Sequence, residues 1–388
     1  MELIVYAPVW GQSGFEQLSR GLFLALDQMG VQIELRPAED WNQERVGLPH
    51  DTIQRLIRMT NTRVTPFAPH VLYQLPKGQP IHKDAPVICY TLFETDRCPL
   101  PWVGALNRMD RVIVFSEFNR KSWSETGIDE DHIRALPPAV NSFVYTPDGP
   151  KYEFLDAKGF KFLLSGDFTE RKNFEAVIEA YVKEFEAEEA VTLIVKAHYG
   201  GFVKRNRKDC LNRLSDIAGR FSNGKPIPKI LFWGDKVSDQ AMAAIYRSTD
   251  AFVLASRGEG LGMQYLEAMA SGIPVIACDW GAQTDFLNRQ NSYPVASTLR
   301  WIDDPNYITK CVQALNSKWC QVDIGDLRHA MRHVVSNHGE ASEKAARALE
   351  WVRTKTWQGM AIEFTRHILE LYGPVIEPSR RVTEEVSV

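Results

Sequence analysis

What this sequence lacks narrows it first. No uncharged apolar run approaches the roughly 18 residues that a membrane-spanning helix needs, so none is expected. The opening MELIVYAPVW carries no charged stretch ahead of an apolar one and reads as a strand, not a secretion signal. Six cysteines (Cys89, Cys98, Cys210, Cys278, Cys311, Cys320) are scattered without C-x-x-C spacing. That speaks against a zinc site or a disulfide framework and for thiols kept reduced in a cytosol. His329 and His333 have i,i+4 spacing but no H-E-x-x-H glutamate, and read as positions on a surface helix. Excess charge of one sign is missing too: 45 basic residues stand against 49 acidic ones. The whole molecule is therefore not an obvious nucleic-acid binder, while local patches stay open. One such patch gathers Lys196, Lys204, Arg205, Arg207, Lys208 and Arg213 around Asp209. It reads as a solvated loop and helix start, with an acidic acceptor or a membrane surface as the alternative partner.

At 388 residues the chain is too long for one ordinary core and suits two α/β domains. Short apolar runs near Glu2–Ala7, Val31–Arg36, His70–Leu75, Pro86–Thr91, Arg111–Phe115 and His132–Pro137 alternate with helical periods, as an open parallel sheet requires. A proline-rich, weakly periodic region to about Lys158 then reads as a linker. The expected division is a first Rossmann-like domain over 1–150, a second over 151–355, a returning helix over 356–373 and a loose tail over 374–388. Helices are expected at about Pro305–Ser317, Asp323–Ser336, Glu340–Lys355 and Trp357–Tyr372.

The most informative stretch is DAFVLASRGEGLGMQYLEAMASGIPVIACDWGAQTD, Asp250 to Asp285. Ala251–Ala255 is a strand, Gly260–Ala270 places Leu261, Tyr265, Leu266 and Met269 on one helical face, and Pro274–Ala277 is a strand again. Gly258, Gly260 and Gly262 strip side chains from the strand-to-helix turn, where free N–H groups and the helix dipole can face an anion. Glu259 and Glu267, eight positions apart, can accept hydrogen bonds from different hydroxyls of one elongated ligand. A polyhydroxylated phosphate ester fits that description.

E-G-L-G-M-x-x-L-E-A-M-A-x-G-x-P-V-I resembles the E-x7-E signature of retaining GT-B glycosyltransferases, the GT4 or group 1 enzymes above all. The resemblance implies an α/β GT-B fold with two Rossmann-like domains facing a cleft and a last helix, here TWQGMAIEFTRHILELY, returning to the first domain. It implies a nucleotide-diphosphate sugar as donor, with UDP the commonest nucleotide and GDP or ADP left open. Glu259 would orient the sugar hydroxyls, Glu267 would hold the ribose, and Gly260, Leu261 and Gly262 would meet the diphosphate. No metal or other cofactor is expected.

Weaker segments fall into the same pattern. Gly166–Asn173, GDFTERKN, puts two cations on a glycine loop, Arg171 able to bind two phosphate oxygens and Lys172 acting as a point charge. The segment resembles the family's G-R-x-x-x-x-K-G, with Asp167 in place of the usual arginine. Gly11 and Gly14 form a G-x-x-G loop opening a helix, read as a place where backbone approaches phosphate or as simple turn chemistry. Glu94, Thr95, Asp96 and Arg97 follow a strand end, where ligands gather in open α/β sheets. The family has a histidine near here and this chain has none, so Glu94 and Asp96 are candidates for substrate contact or for capping the next helix. Asp129-Glu130-Asp131 matches the D-x-D of metal-dependent GT-A enzymes, yet sits in a polar turn and reads as solvated.

The expectation is therefore a cytoplasmic retaining glycosyltransferase, with contact at the inner face of a membrane left open. Its acceptor (glycan, lipid, small metabolite, protein or modified nucleic acid) and its oligomeric state are not encoded in these motifs. Three alternatives stand beside it: a pyridoxal-phosphate phosphorylase of the same layout, a nucleotide-sugar epimerase of GT-B shape, and a non-catalytic nucleotide-sugar-binding protein.

Overall fold

A computed structural model of the protein describes residues 1–11, 13–39, 41, 43, 45, 47–76, 84–198, 207–235 and 237–372. The tail expected over 374–388 and the basic pair Lys204 and Arg205 lie outside the described residues. The first half runs β1 (Glu2–Ala7), α1 (Gly14–Gln28), β2 (Gln32–Pro37), α2 (His50–Asn61), β3 (His70–Leu72), β4 (Val87–Tyr90), α3 (Leu100–Leu106), β5 (Arg111–Val114), α4 (Glu117–Ser124) and β6 (Ile133–Ala135). These strands form a parallel sheet in the order β2-β1-β3-β4-β5-β6. Its central members are buried on both faces, Val87 to Tyr90 throughout, which is why they read as continuous apolar runs and not as alternating ones.

The second half repeats the plan with β7 (Phe160–Asp167), α5 (Phe174–Glu184), β8 (Val191–His198), α6 (Arg207–Ser222), β9 (Ile230–Trp233), α7 (Asp239–Tyr246), β10 (Ala251–Leu254), α8 (Met263–Ala270), β11 (Val275–Cys278) and β12 (Tyr293–Val295). Its order, β12-β11-β10-β7-β8-β9, places β10 directly beside β7. Loops that follow parallel neighbours emerge at the same sheet edge, so the segments after Asp167 and after Leu254 are brought together.

Where one helix was expected over 305–317, the chain instead forms a short excursion. An antiparallel pair, β13 (Ser297–Trp301) and β14 (Lys318–Val322), encloses α9 (Pro305–Lys310) and a 3₁₀ turn at Val312–Ala314. Ile302, Ala314 and Trp319 from this excursion are buried in the first half's core with Phe93, Trp102 and Trp123. That tertiary burial decides the local conformation.

The chain closes with α10 (Ile324–Ser336), α11 (His338–Arg353) and α12 (Trp357–Leu369). α12 returns to the first half. Trp357 packs so tightly on α1 that a Cβ at Gly21 would come within 2.6 Å of its ring, and the Phe364 ring lies 6.0 Å from that of Tyr90. Among the described residues no helix is long and apolar enough to cross a membrane.

Candidate active site

The site grows from the loops after β7 and β10. Arg257 donates its amide to the Arg171 carbonyl at 2.7 Å, and Asn173 Nδ2 donates to the Ala255 carbonyl at 3.0 Å, so the loops are fastened to each other by backbone contacts. Arg171 Nη1 adds a bond to the Gly258 carbonyl at 2.6 Å. The helix α8 starts at Met263, three residues later than the Gly260 expected, because Gly262 turns left-handed at φ +88° and holds the preceding residues in a loop. Gly260 and the buried Leu261 thus belong to the loop, and Glu259 sits on it, four residues ahead of the helix.

Across the cleft the first half presses close. A Cβ on Gly258 would stand 1.9 Å from the Glu94 carbonyl oxygen, and one on Gly260 would stand 2.7 Å from Leu92 Cδ1. Only glycine permits that backbone approach at Gly258. Gly14 faces α8 from α1, with Met263 Cγ 3.7 Å from where its Cβ would be. Gly166 faces Lys172 and Gln264, the nearest atoms 3.7 to 3.8 Å from its would-be Cβ.

Here the charges differ from the expectation. Lys172 and Arg171 do not stand free for a ligand: Lys172 Nζ lies 2.6 Å from Glu259 Oε1, and Arg171 reaches Glu259 Oε2 at 3.4 Å and Glu94 Oε1 at 3.3 Å. Two cations and two carboxylates form one network spanning both halves. Burial by itself would raise the Glu259 carboxyl, but Lys172 and Arg171 outweigh it and hold the group below its usual range. Burial likewise opposes the Arg171 charge, and Glu94 with Glu259 overcomes it.

Glu267 behaves in the opposite way. It is buried on α8, and burial, reinforced by Asp239, pushes its carboxyl up to about 8 against hydrogen bonds from Tyr246 and Tyr145. The Tyr246 hydroxyl donates to Glu267 Oε2 at 3.0 Å. Neither tyrosine announced itself in the sequence, since nothing in its spacing ties Tyr145 or Tyr246 to the glutamate signature. Gln264, inside that signature, also touches the site, with its Oε1 3.5 Å from Lys172 Nζ.

Other candidate groups already have partners. The Gly11 amide is already taken, donating to Glu16 Oε1 at 2.8 Å, while Ser13 N and Oγ donate to Glu16 Oε2 at 3.1 and 2.8 Å. Glu16 fills the anion position of the G-x-x-G loop as half of a capping box, leaving Gly14 as the member that faces the cleft. The Asp96 carboxylate is likewise engaged, accepting from the Lys318 amide at 2.6 Å. Lys196, grouped with the basic patch, is buried at the end of β8, and that burial lowers its amine's pKa against the pull of Asp235 and Asp167. Arg213 is also spent, on the Phe168 carbonyl and Glu170. The Asp129–Asp131 turn is exposed, with Glu130 paired to Arg120 at 3.0 Å. Among the described residues no group of His, Cys, Asp and Glu could hold a metal ion.

Two parallel sheets, a cleft between them and a last helix crossing back define the GT-B fold. Solved structures agree over nearly the whole chain. A sucrose-phosphate synthase from Thermosynechococcus elongatus has a TM-score of 0.66 at 14% identity, covering 96% of this chain and 99% of its own. The Anabaena protein HepE, solved with UDP and glucose, has a TM-score of 0.62 at 13% identity, covering 95% and 100%. Residues 159–315 match the family described as glycosyl transferases group 1. A mannosylfructose-phosphate synthase of Agrobacterium fabrum is 31% identical over 157 residues, which are 39% of this chain and 33% of the relative. An alpha-monoglucosyldiacylglycerol synthase of Streptococcus pneumoniae is 29% identical over 183 residues, 45% of this chain and 38% of the relative. The matched segments thus span between 33% and 38% of the length of these curated relatives.

Proposed function

We propose that the protein is a retaining glycosyltransferase that moves a hexose or related sugar from a nucleotide-diphosphate sugar, UDP-linked first among the candidates, to a hydroxyl acceptor. The observation that carries this reading is the Lys172–Glu259 pair, a buried cation and carboxylate held 2.6 Å apart at the mouth of the second sheet. It lies within the segment that matches group 1 glycosyltransferases. HepE, a neighbour in fold, is a protein solved with UDP and glucose, which adds support for the donor class.

In this mechanism Lys172 exchanges partners. The arriving diphosphate takes Lys172 and Arg171, its oxygens also facing the N-terminal end of α8, and Glu259 is released to accept hydrogen bonds from the sugar hydroxyls. The exchange keeps the buried lysine neutralised throughout, while Glu259 trades its two cations for hydrogen bonds from the sugar hydroxyls. Glu267, on the helix behind, meets the ribose. The bond from the anomeric carbon to the phosphate oxygen breaks as the acceptor oxygen bonds on the same face, and the acceptor proton passes to the departing phosphate. Arg171 and Lys172 stabilise the charge that grows there. No metal is required in this scheme, so turnover persists in excess EDTA.

A thermal-shift screen with UDP, GDP, ADP and their sugars tests the reading. A ligand at 100 times its dissociation constant adds about 2.7 kcal/mol to stability. The stabilising donor is then followed by NMR, where slow release of free sugar is expected even without an acceptor. No stabilisation by any nucleotide, or conversion of the sugar to its epimer in place of release, would contradict the proposal.

A further inference from the structure

The excursion between β13 and β14 ties the reaction loop to the opposite half in a closed circuit. The Asp96 amide donates to the Lys318 carbonyl at 3.0 Å and the Lys318 amide returns to Asp96 Oδ1 at 2.6 Å. Two residues along β14, the Cys320 amide donates to the Arg257 carbonyl at 2.9 Å, and Arg257 donates to the Arg171 carbonyl at 2.7 Å. Arg171 then reaches back to Glu94, two residues before Asp96, at 3.3 Å. The circuit is flanked by Trp319, buried among first-half side chains, and by Arg97, whose guanidinium lies 5.9 Å from the Trp301 ring centre.

Such a ring of contacts fixes a geometry that no single member could. The Glu94–Arg171 pair joins two side chains that are each partly exposed, 23% and 20%, so in isolation it would be a loose surface contact. Fastening the backbone on both sides removes the freedom that makes such pairs weak. We propose that Asp96 is a positioning residue for sugar transfer: by clasping the 92–97 loop to β14 it holds Glu94 against Arg171, and so aims the guanidinium at the leaving diphosphate. This rests on the glycosyltransferase reading. Lys172 and α8 still receive the diphosphate without the clasp, so its loss falls on the transition state and not on donor binding.

The test compares Asp96→Ala with Asp96→Asn, whose amide oxygen can still accept from Lys318. Two readouts are taken on the full chain: amide hydrogen exchange at Lys318 and across 92–97, which needs no ligand, and kcat and KM for hydrolysis of UDP-glucose. Asp96→Ala is expected to speed exchange in both segments and to lower kcat about tenfold or more, the scale of an ångström-level misplacement, with donor KM within about twofold. Asp96→Asn restores both. Unchanged exchange or unchanged kcat in Asp96→Ala overturns the proposal, as does a kcat loss that Asn fails to rescue, which would assign the effect to the Asp96 charge, paired with Arg97 at 3.2 Å, and not to the bond from Lys318. Asp96→Ser, too short to reach the Lys318 amide, replaces the alanine variant if that one does not fold. If wild-type protein hydrolyses no nucleotide sugar, the glycosyltransferase reading falls and the role in transfer with it, while the exchange measurement still decides whether the clasp exists.

Discussion

Lys172 Nζ and Glu259 Oε1 meet at 2.6 Å with side chains only 5% and 6% exposed, although 87 positions separate them in the chain. Neither could be buried alone. Removing one partner of a buried pair costs about 3–5 kcal/mol where the other is left uncompensated; here Arg171, 3.4 Å from Glu259 Oε2, offsets part of that cost when Lys172 is the one removed. On the proposed reading the pair links stability to function, since the group that stabilises the empty cleft is the one that the diphosphate would engage.

Lys172→Ala should lose on both counts. Turnover falls by roughly 10² to 10³, the usual loss for one oriented charge donor, and urea unfolding shows a destabilisation below the roughly 3–5 kcal/mol of a fully uncompensated buried charge, because Arg171 stays beside Glu259. Wild-type turnover in this variant would exclude the role given to the lysine.

The two glutamates separate kinetically. On the proposed reading Glu267 meets the ribose, which is bound about equally before and at the transition state, so Glu267→Gln should mainly raise donor KM. On the same reading Glu259 faces the sugar, where charge and ring shape change, so Glu259→Gln should mainly lower kcat. The reverse pattern would show that the donor lies the other way along the cleft.

Stability should depend on pH through Glu267. Its carboxyl is pushed up to about 8 from an ordinary 4.5, so between those values the folded chain keeps a proton that the unfolded chain releases. Stability is greatest below that window and declines as pH rises through it. Melting curves at pH 6 and pH 8 should show wild type losing more than Glu267→Gln, which cannot ionise. Equal losses would mean that Glu267 is already charged at pH 6.

Gly258→Ala tests the contact between the halves. Its Cβ would fall 1.9 Å from the Glu94 carbonyl oxygen, an overlap that backbone must move to relieve. Sharply reduced turnover with retained secondary structure by circular dichroism is expected. A fully active variant would show that the halves need not approach so closely for catalysis.

Much of the fold was legible because buried parallel strands announce themselves. Val87–Tyr90 and Ala251–Leu254 are apolar on both faces and bounded by turn residues, and their positions agree with the reading to within a residue or two. The start of α8 was misjudged because helical periodicity does not register the left-handed turn at Gly262. β13 and β14 were missed for a different reason: Leu299 and Trp301 stay exposed, and their partners across the ladder lie about twenty residues away. The candidate site residues were proposed singly, through the glycine loops and the glutamate spacing. Their pairing was not legible, since it depends on β10 lying beside β7. The bond from the Lys318 amide to Asp96 was not legible either, because the rule about strand ends locates a loop in the cleft without saying which of its side chains are spent on holding it there.

The most direct test of the central claim is calorimetric titration of the stabilising nucleoside diphosphate into wild type and Lys172→Ala. The account predicts one site in wild type and at least about tenfold weaker binding in the variant, since a hydrogen bond to a charged group contributes about 1.5–3 kcal/mol. Equal affinity in the two proteins would contradict it, placing the diphosphate away from the Lys172–Glu259 pair.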